Sequence, residues 1–285
     1  MIFLEETLFK TSAIKVSAAY TPFWYTSGTI GPYFINTHFL YGGENAANDL
    51  LKFIDENLNE PIPFVNKLTE RVLDFYKSNS LYKQIVDDFY GMIKDNPNFI
   101  ESQFISGGER RDWFFSIIIA NLSQKEHLFI FKNLDICNLK EKITNINNAR
   151  ISHIADLITQ ASSYERAWIP AIKNINGNFV FSASVVDRAQ GGKEFLSTQK
   201  IDSFSAVIVD ENFFEDAKNS GVINEIQLEL IKQFTKNPDE YGKNFLIKYP
   251  EFLKKSINSN DKSIKSKAER CIKENPYKID FNKIF

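Results

Sequence analysis

Apolar residues recur at helical spacing early in the chain. Ala46, Leu50, Leu51 and Ile54 predict a helix over 46–60, and Val65, Leu68, Val72 and Phe75 open a second over 65–96 that Pro97 ends. Before residue 43 the pattern differs: Thr, Ser, Tyr and Phe with Pro22 and Pro32 predict short strands and turns around one opening helix. From residue 100, short apolar runs alternate with helical stretches. Strands are expected at Phe104-Ile105, Leu128–Phe131, Ile151–Ile154, Phe179–Val186 and Ser205–Val209, and a helix at 163–175. Trp113–Ala120 is apolar throughout and reads equally well as a buried helix or strand. Strands alternating with helices argue for an α/β fold with a parallel sheet, in which ligands sit at the carboxyl ends of strands. Residues 212–285 turn Lys-, Asn- and Glu-rich with stops at Asn237-Pro238, Tyr249-Pro250 and Asn275-Pro276, which predicts a small helical appendage.

Composition narrows the classes. The chain has 285 residues, a formal net charge of −2 and 43% apolar residues including 26 Phe, enough for a large aromatic core. A nucleic-acid partner is not expected from so balanced a charge. The Lys254–Lys267 run reads chiefly as a solvated helix face. No segment reaches the roughly 20 apolar residues of a membrane span, and the first residues, Met1–Glu6, are acidic where a signal peptide is basic. With only Cys137 and Cys271, far apart, the expected location is the cytoplasm with reduced thiols. Glycine is scarce at 12 residues, and its spacing excludes a Walker A loop and a Gly-x-Gly-x-x-Gly fingerprint. His38, His127 and His153 lie in separate segments with no metal spacing, and there is no Gly-x-Ser-x-Gly elbow.

Four segments carry candidate chemistry. Ile154-Ala155-Asp156-Leu157-Ile158-Thr159-Gln160-Ala161-Ser162-Ser163 runs from a strand into a helix, where backbone N–H groups and hydroxyls form an anion cradle and Asp156 can meet a sugar hydroxyl or a hydrated magnesium ion. Ordinary capping by Ser162 or Ser163 would use the same letters. Asp187-Arg188-Ala189-Gln190-Gly191-Gly192, again at a strand end, presents a guanidinium to a carboxylate, or simply turns the chain. Ser106-Gly107-Gly108-Glu109-Arg110-Arg111 pairs two glycines with two of only seven arginines, suited to pyrophosphate or to a surface ion-pair cluster. Ser27-Gly28-Thr29-Ile30-Gly31-Pro32-Tyr33-Phe34-Ile35-Asn36 holds aromatics at a tight turn, able to stack on a base or to fill a core.

In this order the segments resemble the orotate phosphoribosyltransferases of the type I phosphoribosyltransferase family, over roughly residues 10–210. Ser27-Gly28-x-x-Gly31-Pro32-Tyr33-Phe34-x-Asn36 is similar to that family's hood motif, Asp187-Arg188-x-Gln190-Gly191-Gly192 to its base-reading segment, and Ala155–Ser163 to its phosphoribosyl pyrophosphate loop. The resemblance implies a phosphoribosyltransferase-like domain over 1–210 with a hood at about 1–45, and leaves 211–285 as a helical C-terminal extension. It implies transfer of a phosphoribosyl group from phosphoribosyl pyrophosphate to orotate or a related base, with release of pyrophosphate. That is a glycosyltransferase step of pyrimidine biosynthesis and nucleotide metabolism.

By the same resemblance Asp156 would serve catalysis at the ribose and meet Mg2+ only through water. Thr159, Gln160, Ala161, Ser162 and Ser163 would hold the 5′-phosphate, and Arg110 and Arg111 the pyrophosphate. Phe34, Ile35 and Arg188 would take the base. A catalytic lysine of the mobile loop would be Lys132, Lys140 or Lys142, and the molecule would be a homodimer. The departures are Ala155 for an acid, Gln160 for a hydroxyl residue, Ala161 for glycine, Ile30 for lysine, and no glycine in Lys132–Arg150. They raise a second expectation beside the enzyme: a non-catalytic ligand sensor or partner-binding protein on the same fold.

Overall fold

The computed structural model describes residues 1–281, so the last four residues of the 211–285 extension lie outside the described residues. The chain divides into two compact units, one made of Ile14–Ile35 with the residues from Glu211 onward, the other of Ile2–Ala13 with Asn36–Asp210.

In the smaller unit, β1 (Ile14–Val16) pairs antiparallel with β4 (Tyr33–Ile35), and β2 (Phe23–Trp24) with β3 (Ile30–Gly31). These short ribbons cannot bury a core alone. The helices Pro238–Lys248, Pro250–Ile257 and Lys262–Glu274 supply it: Phe245, Leu246, Leu253 and Cys271 pack with Trp24 and Ile30. Two polar contacts fix the register of that packing, Trp24 Nε1 donating to Ser256 Oγ (2.9 Å) and the Tyr277 hydroxyl accepting from the Ile30 N–H (2.7 Å).

In the larger unit the described residues form a six-stranded sheet: β5 (Phe104–Gly108), β6 (Glu126–Ile130), β7 (Ile136–Cys137), β8 (Arg150–Ile158), β9 (Asn178–Asp187) and β10 (Asp202–Ile208). The order is β10-β9-β8-β5-β6-β7, parallel except for β7. β8 is buried over nearly its whole length, as a parallel strand covered on both faces must be. From β5 the chain moves to β6 on one side, whereas β8, β9 and β10 build out on the other. The switch point therefore falls between the carboxyl ends of β5 and β8.

The expected α/β core is present, with local differences. The helix expected over 65–96 is two, Pro61–Ser78 and Ser80–Ile93, because the Asn79 side chain accepts from the Tyr82 N–H (2.9 Å) and caps the second. Trp113–Ser123 is a helix, buried almost all round by the sheet and neighbouring helices. β8 continues past Ile154 to Ile158, which puts Asp156 inside the strand rather than after it. No helix among the described residues is long and apolar enough to cross a membrane.

Two buried histidines of this unit stay uncharged. Burial, with Arg111 and Arg110 adding, pushes the pKa of His38 down to about 3; burial, with His153 adding, does the same to His127. The unfolded chain takes up a proton at each near pH 6.5, so each histidine removes stability as pH falls below that value, about 1.4 kcal/mol per pH unit. His38→Gln lacks this penalty. Its urea-derived stability relative to wild type should rise by about 2 kcal/mol between pH 7 and pH 5. A constant difference would mean that folded His38 takes up its proton as readily as the unfolded chain does.

Candidate functional site

The switch point opens into a cavity of about 280 Å³. Its walls come from two strand ends: Glu109, Arg110, Arg111 and Asp112 after β5, and the run from Ala155 through Tyr164 at the end of β8, with Lys132 and Trp168 at the sides. Trp168 packs so closely on Gly108 that a Cβ there would collide with the indole ring, which is why glycine ends β5.

Asp112 ties the two walls together. Its Oδ2 accepts from the Gly108 N–H (3.0 Å) and its Oδ1 from the Asp156 N–H (3.0 Å), so one carboxylate joins the ends of β5 and β8. Behind it His153 is fully buried, with Nε2 3.4 Å from Asp112 Oδ2 and Nδ1 2.9 Å from Ser106 Oγ. Nothing in the local sequence singles out Asp112, because an Asp directly before an apolar helix is ordinarily an N-cap. Its side chain makes no cap bond and reaches across the sheet instead.

Asp156 is buried, and its Oδ2 has no hydrogen-bond partner. Burial, and then the negative charge of Asp112, hold its pKa well above the usual carboxylate range, while Arg111 opposes them. A buried carboxyl with an unspent oxygen beside a cavity costs folding free energy, and such groups concentrate at functional sites.

After Ile158 the chain turns through Thr159 and Gln160 to Ala161, which sits at φ 56°. This is the left-handed conformation glycine would adopt at lower cost. The Ala161 carbonyl accepts from the Glu165 N–H (3.0 Å) and opens the helical run that continues through the π-helical turn Tyr164–Trp168 into Ile169–Asn174. Ser162 and Ser163 are exposed at its start, and the Ser163 hydroxyl makes no capping bond. The capping role those serines could have had is therefore not taken by Ser163, and its hydroxyl stays available.

The cations around the cavity differ in what already holds them. Arg110 pairs with Asp55. Lys132 lies 3.3 Å from Glu109, whose other oxygen accepts from the Lys132 N–H (3.1 Å), so this pair links the loops after β5 and β6. Lys140 and Lys142 do not line the cavity: β7 turns the chain back on β6, and Lys142 pairs with Asp135 at 2.7 Å. No group of three or more His, Cys, Asp or Glu able to cage a metal occurs among the described residues.

Arg188 follows β9, whose last residue is in register with Ile158. Its backbone N–H donates to the Ile158 carbonyl (3.0 Å), placing it one strand from the Thr159 turn. Its Nε is buried without a hydrogen-bond partner. The Asp187 carboxylate accepts from the Ala189 N–H (2.8 Å), and Gly191, at φ 95°, starts the helix Gly192–Thr198. Phe34 and Ile35 belong to the smaller unit, on β4. Ile35 is buried opposite Ile14, and Phe34 is half-buried with its ring edge-on to Phe23 (4.8 Å).

Solved structures similar in fold to this chain include phosphoribosyltransferases. The chain superimposes on UMP synthase of Leishmania donovani with TM-score 0.56 at 14% identity, over 81% of this chain and 41% of that one. For the orotate phosphoribosyltransferase of Francisella tularensis the values are 0.53 and 15%, over 82% and 98% of the two chains. For that of Aeropyrum pernix they are 0.50 and 14%, over 75% and 97%. The chain has an orotate phosphoribosyltransferase-like fold. No protein-family model and no curated protein sequence matches it. Identity this low carries the type I phosphoribosyltransferase fold and not its chemistry. The chain spans less than half the length of the UMP synthase.

Proposed function

We propose that the protein transfers a phosphoribosyl group from phosphoribosyl pyrophosphate to orotate or a related carboxylated pyrimidine, releasing pyrophosphate, as a cytoplasmic enzyme of nucleotide metabolism. The observation that carries this reading is the cavity between β5 and β8. In it Asp156, Thr159, Gln160, Ala161, Ser162, Ser163, Arg110, Arg111 and Lys132 line one space on an orotate phosphoribosyltransferase-like fold.

In this reading the Thr159–Ser163 turn binds the 5′-phosphate through amides and hydroxyls, and Asp156 holds the ribose hydroxyls. Arg110, Arg111 and Lys132 neutralise the leaving pyrophosphate as positive charge develops on the sugar. The donor set suits a hydrated magnesium ion that arrives with the substrate: the free Asp156 Oδ2 would hold it through water, and no protein cage of His, Cys, Asp or Glu occurs among the described residues. When bound, magnesium would supply charge neutralisation at the pyrophosphate. Arg188 reads the base carboxylate.

The test is pyrophosphate release from phosphoribosyl pyrophosphate, magnesium and orotate. Arg188→Ala should weaken orotate by about 10²-fold and uracil by far less, since only orotate has the carboxylate that the guanidinium pairs with. Equal losses for both bases would remove Arg188 from that role.

A non-catalytic sensor is the second reading, favoured by the engagement of Arg110 with Asp55 and Lys132 with Glu109, and by Ala155 in place of a second acid at the end of β8. Binding of the sugar phosphate without turnover on any base would select it.

A further inference from the structure

The three cations on the cavity between β5 and β8 stand in three different states. The Arg111 guanidinium makes no hydrogen bond or ion pair among the described residues, so a ligand meets it free. Arg110 pairs with Asp55, whose side chain is 51% exposed. Water takes over that carboxylate when Arg110 turns to a ligand, and pairs so exposed hold weakly. Lys132 pairs with Glu109, whose side chain is only 7% exposed. This carboxylate has little water to replace its cation, so separating the two is harder.

Glu109 is also fixed in place. Its N–H donates to the Ile130 carbonyl (2.7 Å), which continues the β5–β6 ladder by one rung, and its Oε2 accepts from the Lys132 N–H (3.1 Å). These backbone bonds keep the carboxylate on the cavity wall whether or not the Lys132 ammonium stays. The ammonium is the partner able to move: it lies 3.3 Å from Oε1 on a side chain that is 70% exposed. Joining the two loops needs only an acceptor oxygen, which an uncharged amide would supply. The charge is what the joint leaves unexplained. Set among cations, it is an anion already in place, and it repels a phosphate brought beside it.

We propose that Glu109 is an internal competitor for pyrophosphate. Lys132 exchanges the Glu109 carboxylate for a phosphate oxygen as the ligand enters, and returns to Glu109 as the ligand leaves. The inference rests on the phosphoribosyl reading and adds to it a residue that sets how tightly pyrophosphate is held. Glu109 acts through Lys132 and is a positioning residue. Its effect falls equally on the sugar donor and on the released product, since both carry the pyrophosphate, so it weakens binding and hastens release without changing the step at the ribose. A 5′-phosphate at the Thr159–Ser163 turn, on the opposite wall, does not draw on Lys132.

The test is titration calorimetry of inorganic pyrophosphate with magnesium into the wild type, Glu109→Gln, Lys132→Met and the double variant. Glutamine keeps the size of Glu109 and an oxygen for the Lys132 N–H, so the loops stay joined. Glu109→Gln should bind pyrophosphate about tenfold tighter, a gain that damage to the fold cannot produce. Ribose 5-phosphate should bind both proteins alike, within about twofold. Lys132→Met should bind pyrophosphate more weakly than the wild type, and adding Glu109→Gln to it should gain no more than about threefold, because the exchange has lost its cation. Binding by the wild type that Glu109→Gln leaves equal or weaker overturns this inference alone. So does a full gain in the Lys132→Met background, which would make Glu109 a bare repulsive charge with no exchange. Silence from all four folded proteins overturns the phosphoribosyl reading and this inference with it.

Discussion

Asp156→Asn should make the protein more stable and inactive. Asp156 is buried, its Oδ2 has no hydrogen-bond partner, and burial together with Asp112 pushes its pKa far up. Folding at neutral pH therefore works against a carboxyl that the unfolded chain leaves ionised. Asparagine avoids that cost at the expense of burying an amide, for a net gain of about 1–2 kcal/mol at pH 7 in urea unfolding. The sign follows from the raised folded-state pKa: the advantage is greatest above it and fades as pH falls toward about 4, where the unfolded carboxyl is protonated too. In the proposed reaction turnover should drop by at least about 10²-fold, because an amide would not replace the carboxylate assigned there to the ribose. A variant less stable than wild type at pH 7 would mark Asp156 as a structural group with a partner in the folded state.

Asp112→Ala should have the opposite effect on stability and a similar one on function. Removing that carboxylate strands the N–H groups of Gly108 and Asp156, each at about 1–3 kcal/mol, and only part of this returns through relief of the charge on Asp156. A net loss of about 3 kcal/mol is expected in urea unfolding. With the ends of β5 and β8 no longer joined, the cavity loses its shape and pyrophosphate affinity falls with it. Asp112→Asn keeps one acceptor oxygen and should fall between. A loss below about 0.5 kcal/mol would mean that water replaces the carboxylate and that the joint is not needed.

The two substitutions separate what the sequence makes legible from what it hides. The strand ends carrying Asp156, Arg110 and Arg188 are readable because short apolar runs between helices force a parallel sheet, and a parallel sheet gathers its carboxyl ends on one edge. Ambiguity over Trp113–Ser123 arises because a helix buried all round loses its periodicity. The break at Asn79 is invisible to hydrophobic spacing, which continues across it, and depends on one side-chain cap. Periodicity likewise shows that the helices after residue 211 have apolar faces without saying what they cover, which is the ribbon around Trp24 and Ile30. In the site, Asp112 escapes notice because its partners are backbone N–H groups 4 and 44 residues away, contacts that no local pattern encodes. The placement of Lys132 on the cavity, with Lys140 and Lys142 off it, turns on the two-residue strand β7, too short to leave a signal.

The central claim is that the cavity between β5 and β8 receives phosphoribosyl pyrophosphate. Titration calorimetry of that sugar phosphate with magnesium, into the wild type and into Ser162→Asp, tests it directly. A saturable heat is expected from the wild type. It should be lost in the variant, whose added negative charge repels the phosphate at an exposed position where the fold itself has little to lose. No heat from the folded wild type, or equal binding by both proteins, would contradict the assignment.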